Sequence, residues 1–219
     1  NNWQGAAYAL VQKSVINGLQ GNQTEKINTL EFLNRTYPNN IYQDYSLFEI
    51  GNAYIAEGNL NKAISTLNKL INEFPSSTYV PKAYLKLGLS YFNMQQEEKA
   101  LKAYKDVVLK FPKTDEAQEA LLALKELYVY LGRPDDYLDF VQNQAGINLS
   151  TTEQDQLMFE SAENQYINGN CTDAITSLTK YIDKFPKGND VLNAHYFRAD
   201  CLFKGNDFQN AYFDYIRIN

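Results

Sequence analysis

Histidine occurs once in this 219-residue sequence, tryptophan once, and cysteine and methionine twice each. With a single histidine, His195, and two separated cysteines, no cysteine–histidine cluster has the spacing of a metal site. Glycine-rich phosphate loops and nucleophile elbows are missing as well, which removes the common signatures of nucleotide binding and serine hydrolysis. No catalytic constellation, metal or cofactor is expected. No apolar run approaches the roughly 18 residues that a membrane-spanning helix needs, so direct membrane insertion is not expected. Positive charge is in deficit, with 20 Lys and Arg against 26 Asp and Glu and a formal net charge of −6. That balance argues against wholesale binding to nucleic acid or to an anionic membrane. No signal peptide is visible, yet the sequence opens at Asn1 rather than at methionine and stops inside a helical pattern at Ile218-Asn219. This is the expectation for a processed protein or a fragment.

Proline is scarce too, and four of its six copies follow an aromatic residue. Tyr37-Pro38, Phe74-Pro75, Phe111-Pro112 and Phe185-Pro186 lie 37, 37 and 74 residues apart, so the last interval is two periods. A degenerate copy ends at Asn148-Leu149, where the skipped pair would fall. Between these stops the apolar residues recur at helical spacing. From Lys82 to Pro112, Tyr84, Leu87, Gly88 and Tyr91 share one face and Ala100, Tyr104 and Val107 another, which predicts two amphipathic helices joined by a polar turn. Proline ends the second helix, since it lacks an N–H and restricts the residue before it. Gly88 and Ala100 are small where the two helices cross, and the second small residue recurs at Ala63, Ala174 and Ala211. Self-similarity at such a period marks a solenoid.

Tyr84, Leu87, Gly88, Tyr91, Ala100, Tyr104 and Pro112 resemble the tetratricopeptide repeat signature, as do Leu47, Ile50, Gly51, Tyr54, Gly58, Ala63, Leu67, Leu70 and Pro75 one period earlier. The resemblance covers essentially the whole chain. It implies an all-α fold, an α-solenoid of antiparallel helix pairs wound as a right-handed superhelix in a single array over 1–219. The repeats fall at about 7–38, 44–75, 81–112, 115–149, 152–186 and 191–219, the last truncated. The period is about three residues longer than the usual 34 of this family. That spacing resembles the tetratricopeptide lipoproteins and adaptors of the bacterial envelope, barrel-assembly lipoproteins and TolA-binding coordinators of peptidoglycan synthesis among them.

Repeat 1 is weak, with Ser14 and Lys26 at its crossing, and repeat 4 is irregular. Lys125 stands where Gly51 and Gly88 stood, and Tyr137 where Ala63 and Ala100 stood. Two bulky residues should push that helix pair apart, with the lysine stem along the interface and its ammonium in water. Ser150 and Glu153 have the spacing of a capping box that starts the next helix. His195 occupies a position equivalent to Leu47 and Tyr84, which favours a structural role.

The resemblance implies a non-enzymatic scaffold that binds a protein or peptide partner in the concave groove, in envelope assembly or maintenance. The alternative is an accessory helical domain of a larger envelope enzyme, such as a peptidoglycan-processing one. Groove-lining positions give Asn52, Leu89, Phe92, Glu119, Glu126, Phe159, Glu163, Tyr166, Tyr196, Asp200 and Phe203 as candidate partner-binding residues. Glu126, Glu163 and Asp200 are one period apart and should form an acidic row, with Glu119 one stripe away. Set among aromatics, that row suits a basic, partly apolar segment. A chaperone-type carboxylate clamp does not fit, because the fifth position of the repeat is never basic. Cys171 and Cys201 fall at the same end of adjacent helices, so either a disulfide or two small buried thiols is sterically open. A disulfide would suit an oxidising periplasm or an outer-membrane association, with the cytoplasm as the other compartment. Oligomeric state is not legible.

Overall fold

The computed structural model describes residues 3–218, and among them it contains twelve α-helices and no strand. They run in pairs: α1 (Trp3–Leu19) and α2 (Gln23–Thr36), α3 (Gln43–Ala56) and α4 (Leu60–Glu73), α5 (Val80–Asn93) and α6 (Glu97–Lys110). Then follow α7 (Asp115–Tyr130) and α8 (Pro134–Asp139), α9 (Thr151–Ile167) and α10 (Cys171–Lys184), α11 (Val191–Lys204) and α12 (Phe208–Ile218). Backbone contacts divide the chain within α7 into two compact units, one up to Leu121 and the second from Leu122.

The period is written into the backbone as well as the side chains. Gly21, Gly58, Gln95, Gly132, Gly169 and Asn206 all have positive φ, and each stands thirty-seven residues after the one before it. Each is the residue on which the chain reverses between the two helices of a pair. Glycine takes this left-handed conformation freely, and Gln95 (φ 56°) and Asn206 (φ 62°) adopt it where the repeat demands it. Repeat 4 keeps the beat through Gly132 despite its divergent side chains.

In the first unit the helix pairs close on small residues. A Cβ added to Gly88 would lie 2.4 Å from the Tyr104 ring, so only glycine lets α5 and α6 approach with that tyrosine between them. Ala63 and Ala100 are fully buried at the matching positions of α4 and α6. Leu47, Leu67, Leu70, Ala83 and Leu87 form the core shared by α3, α4 and α5. The weak first repeat is handled differently. Lys26 lays its stem against Gly18 at the crossing of α1 and α2, and its half-buried ammonium pairs with Glu49 of α3.

In the second unit the irregular repeat shows its cost in α8, which lasts six residues before a π-helical segment, Phe140–Gln144. Tyr137 is buried at the crossing, its ring tilted against Tyr128 at 6.2 Å. Lys125 is about one-third exposed, and its ammonium lies 2.9 Å from the equally exposed Glu160 carboxylate of α9. The helix α9 begins on a full capping box: Ser150 accepts from the Glu153 N–H, and the Glu153 side chain accepts from the Ser150 N–H.

Two buried polar networks then fix the last helices. Asp155 of α9 accepts from the Tyr181 hydroxyl of α10 at 2.6 Å and from the Asn189 N–H at 3.0 Å, while the Asp190 N–H donates to the tyrosine oxygen. Burial first, and then the bond to Asp155, pushes the Tyr181 hydroxyl far above its ordinary pKa. Asp214 of α12 is 4% exposed and holds Arg198 of α11 through two bonds and His195 Nδ1 through a third. Burial raises its carboxyl, but Arg198 and then His195 outweigh that and hold it below the usual carboxylate range. His195 is therefore a structural ligand of this carboxylate.

Candidate functional site

The inner helices of the second unit are α7 from Leu122, α9 and α11. Their side chains meet directly: Lys125 bridges to Glu160, Tyr166 stacks on Phe197 at 4.4 Å, and the Tyr166 hydroxyl donates to Asp200 at 2.9 Å. On α7, residues at i, i+4, i+8 spacing place Leu122, Glu126 and Tyr130 on one stripe, all exposed. On α9, Glu163 is half-buried with Ile167, 71% exposed, one turn further on. On α11 the stripe is Tyr196, Asp200 and Lys204, with Phe203 beside it. Each inner helix thus carries a carboxylate on this stripe, with exposed apolar surface on both sides of Glu126 on α7 and on one side of Glu163 and Asp200.

The three carboxylates are not equivalent. Asp200 accepts from Lys204 at 2.6 Å, and that bond and then the Tyr166 hydroxyl hold its carboxyl below the usual range against the effect of burial. Among the described residues no cation sits against Glu126 or Glu163. Burial raises the Glu163 carboxyl, and the charges of Asp190 and Glu160 raise it further, so this is a site of unmet negative potential. The wider balance points the same way. The first unit has twelve basic and twelve acidic residues, the second eight and fourteen, so the whole net charge of −6 resides in the second.

The residues expected from sequence fare differently. In the second unit Tyr196 and Phe203 are about half exposed, and Tyr166 is half-buried with one face stacked on Phe197. Phe159 does not belong to the surface. It is 6% exposed, packed on Tyr181 at 5.4 Å and stacked with Phe197 at 6.1 Å, so it is core rather than a partner contact. In the first unit Leu89 and Phe92 are each 39% exposed and Glu119 is exposed. Asn52 is turned inward, its amide donating to Glu49 at 3.3 Å within the Lys26 cluster. Ile167 and Lys204 were not singled out from sequence, although both occupy the last turn of an inner helix, one turn beyond a carboxylate.

Cys171 and Cys201 are disulfide-bonded, with Cα atoms 5.2 Å apart. The bridge ties the first residue of α10 to the third turn of α11, and Tyr166 packs on the same core as both cysteines. Among the described residues no three His, Cys, Asp or Glu side chains converge as metal ligands, and no helix is long and apolar enough to cross a membrane.

Family models described as tetratricopeptide repeat match residues 45–77, 82–114 and 159–218, together more than half of the chain. No curated protein sequence matches it. Among solved structures it is similar to a tetratricopeptide repeat protein from Parabacteroides merdae, at 19% identity and TM-score 0.58, covering 98% of this chain and 79% of that one. It is also similar to the TPR2AB-domain:pHSP90 complex of yeast Sti1, at 17% identity and TM-score 0.50, covering 96% and 75%. At these identities the likeness speaks for the fold.

Proposed function

The chain belongs to the tetratricopeptide repeat family, a fold that serves as a protein–protein interaction scaffold, and we propose that it works without catalysis by holding a basic, partly apolar segment of a partner on the α7, α9 and α11 face. The observation that carries this reading is the pairing of unmatched carboxylates with exposed apolar side chains on that face. Glu126 and Glu163 speed encounter with a cationic segment and set its register, while Leu122, Ile167, Tyr196 and Phe203 supply the area that leaves water. The concentration of the whole net charge in the same unit adds long-range attraction of the same sign.

The proposed setting is the bacterial envelope. The Cys171–Cys201 bridge supports an oxidising compartment, since cytosolic thiols are normally kept reduced, and the 37-residue spacing resembles envelope adaptors.

The test is to isolate a partner by affinity capture and measure its binding to the Glu126→Lys, Glu163→Lys double variant. Affinity should fall about tenfold or more, with a shallower salt dependence. Unchanged affinity and salt dependence would place the partner elsewhere.

A further inference from the structure

One cationic group already sits on the proposed face, and it belongs to the chain. The Lys204 ammonium donates to Asp200 Oδ2 at 2.6 Å and stands 5.4 Å from the centre of the Tyr166 ring, whose hydroxyl donates to the same carboxylate oxygen at 2.9 Å. Tyr196 lies one helical turn before Asp200 on α11, about half exposed, with Tyr215 edge-on to it at 6.5 Å. An aromatic face within about 6 Å and a carboxylate in hydrogen-bond reach are the two elements that recognise an ammonium or guanidinium group.

We infer that Tyr166, Tyr196 and Asp200 form a seat for a Lys or Arg side chain of the partner, and that Lys204 is its resident occupant, displaced when the partner binds. This rests on the groove reading above and assigns the one carboxylate of the row that is already matched. The seat and its occupant differ in how firmly they are held. The Asp200 side chain is 23% exposed and fixed by Tyr166, which is itself stacked on Phe197. The Lys204 side chain is 60% exposed and held only by an i, i+4 pair and an exposed ring contact. Such contacts are weak, and a long flexible side chain regains rotamer freedom when it leaves. A partner cation anchored by neighbouring contacts can take the seat without disturbing the fold. The presence of Lys204 then lowers affinity, although it is part of the binding face. It also spares the free protein an unmatched third carboxylate.

The probe is an acetylated and amidated hexalysine peptide, titrated calorimetrically at fixed ionic strength. Lys204→Ala should bind it about two- to fivefold more tightly than the unaltered chain. Lys184→Ala removes the same charge from α10, where Lys184 lies against Phe185. It should change affinity less than twofold, separating vacancy of the seat from net charge. Adding Tyr166→Leu to Lys204→Ala should abolish the gain. An unchanged or weaker Lys204→Ala, or an equal gain from Lys184→Ala, overturns the inference. If binding still depends on Glu126 and Glu163 in that case, the groove reading survives and only the seat is lost. If no variant binds the peptide, or binding ignores Glu126→Lys, Glu163→Lys, both fall.

Discussion

Replacing Asp155 by alanine should loosen the second unit more than the removal of a surface carboxylate would. The side chain is 7% exposed and accepts from the Tyr181 hydroxyl at 2.6 Å and the Asn189 N–H at 3.0 Å, and Tyr181 is fully buried. Each hydrogen bond to a charged acceptor contributes about 1.5–3 kcal/mol. The orphaned hydroxyl has no route to water, although it can still accept from the Asp190 N–H. Relief of the buried carboxylate's desolvation offsets part of the loss, leaving a net destabilisation of about 2–4 kcal/mol. Because a solenoid loses stability locally, the readout is amide exchange rather than a single melting point. Exchange in α9 to α11 should accelerate by about 30-fold or more, while α3 to α6 change little. A cycle with Tyr181→Phe tests the pairing itself, since the two single losses should sum to clearly more than the double-variant loss. A destabilisation under about 1 kcal/mol, or equal acceleration in α3 to α6, would refute the network's role.

Ala100 is fully buried where α5 and α6 cross, so Ala100→Leu should overpack that crossing and cost about 1–3 kcal/mol in urea unfolding. A neutral result would mean that the crossing has room. Asp214 titrates below its unfolded value, so its contribution is complete above about pH 4 and is lost as pH falls through the lower folded value. Acidification in that window should loosen α11 and α12 by amide exchange. Asp214→Asn should remove this acid step while weakening the hold on Arg198 and His195 at neutral pH.

Much of the architecture was legible because it is local. Amphipathic spacing and aromatic-proline stops place the helix pairs, and small crossing residues show which faces meet. The capping box at Ser150 and the structural role of His195 follow from the same register. The bond between Cys171 and Cys201 was only one of two open readings, since sequence places the two turns together without bringing the sulfurs to bonding distance. The left-handed turn falls on a glycine in four of the six repeats, and at Gln95 and Asn206 only the position in the period points to it.

What the repeat does not specify is which members of an equivalent row reach water. Phe159 and Tyr196 occupy the same position one period apart, yet the first is 6% exposed and the second 48%. The polar networks at Asp155 and Asp214, and the placement of Lys204 against Tyr166, likewise join residues from different helices. The period, the helix pairs and the row of inner positions can be read along the chain, because 3.6-residue periodicity and turn chemistry act within a few residues. Which of those side chains are buried, bonded or open to solvent follows from what a neighbouring helix lays across them, and the contacts that do so come from residues tens of positions away.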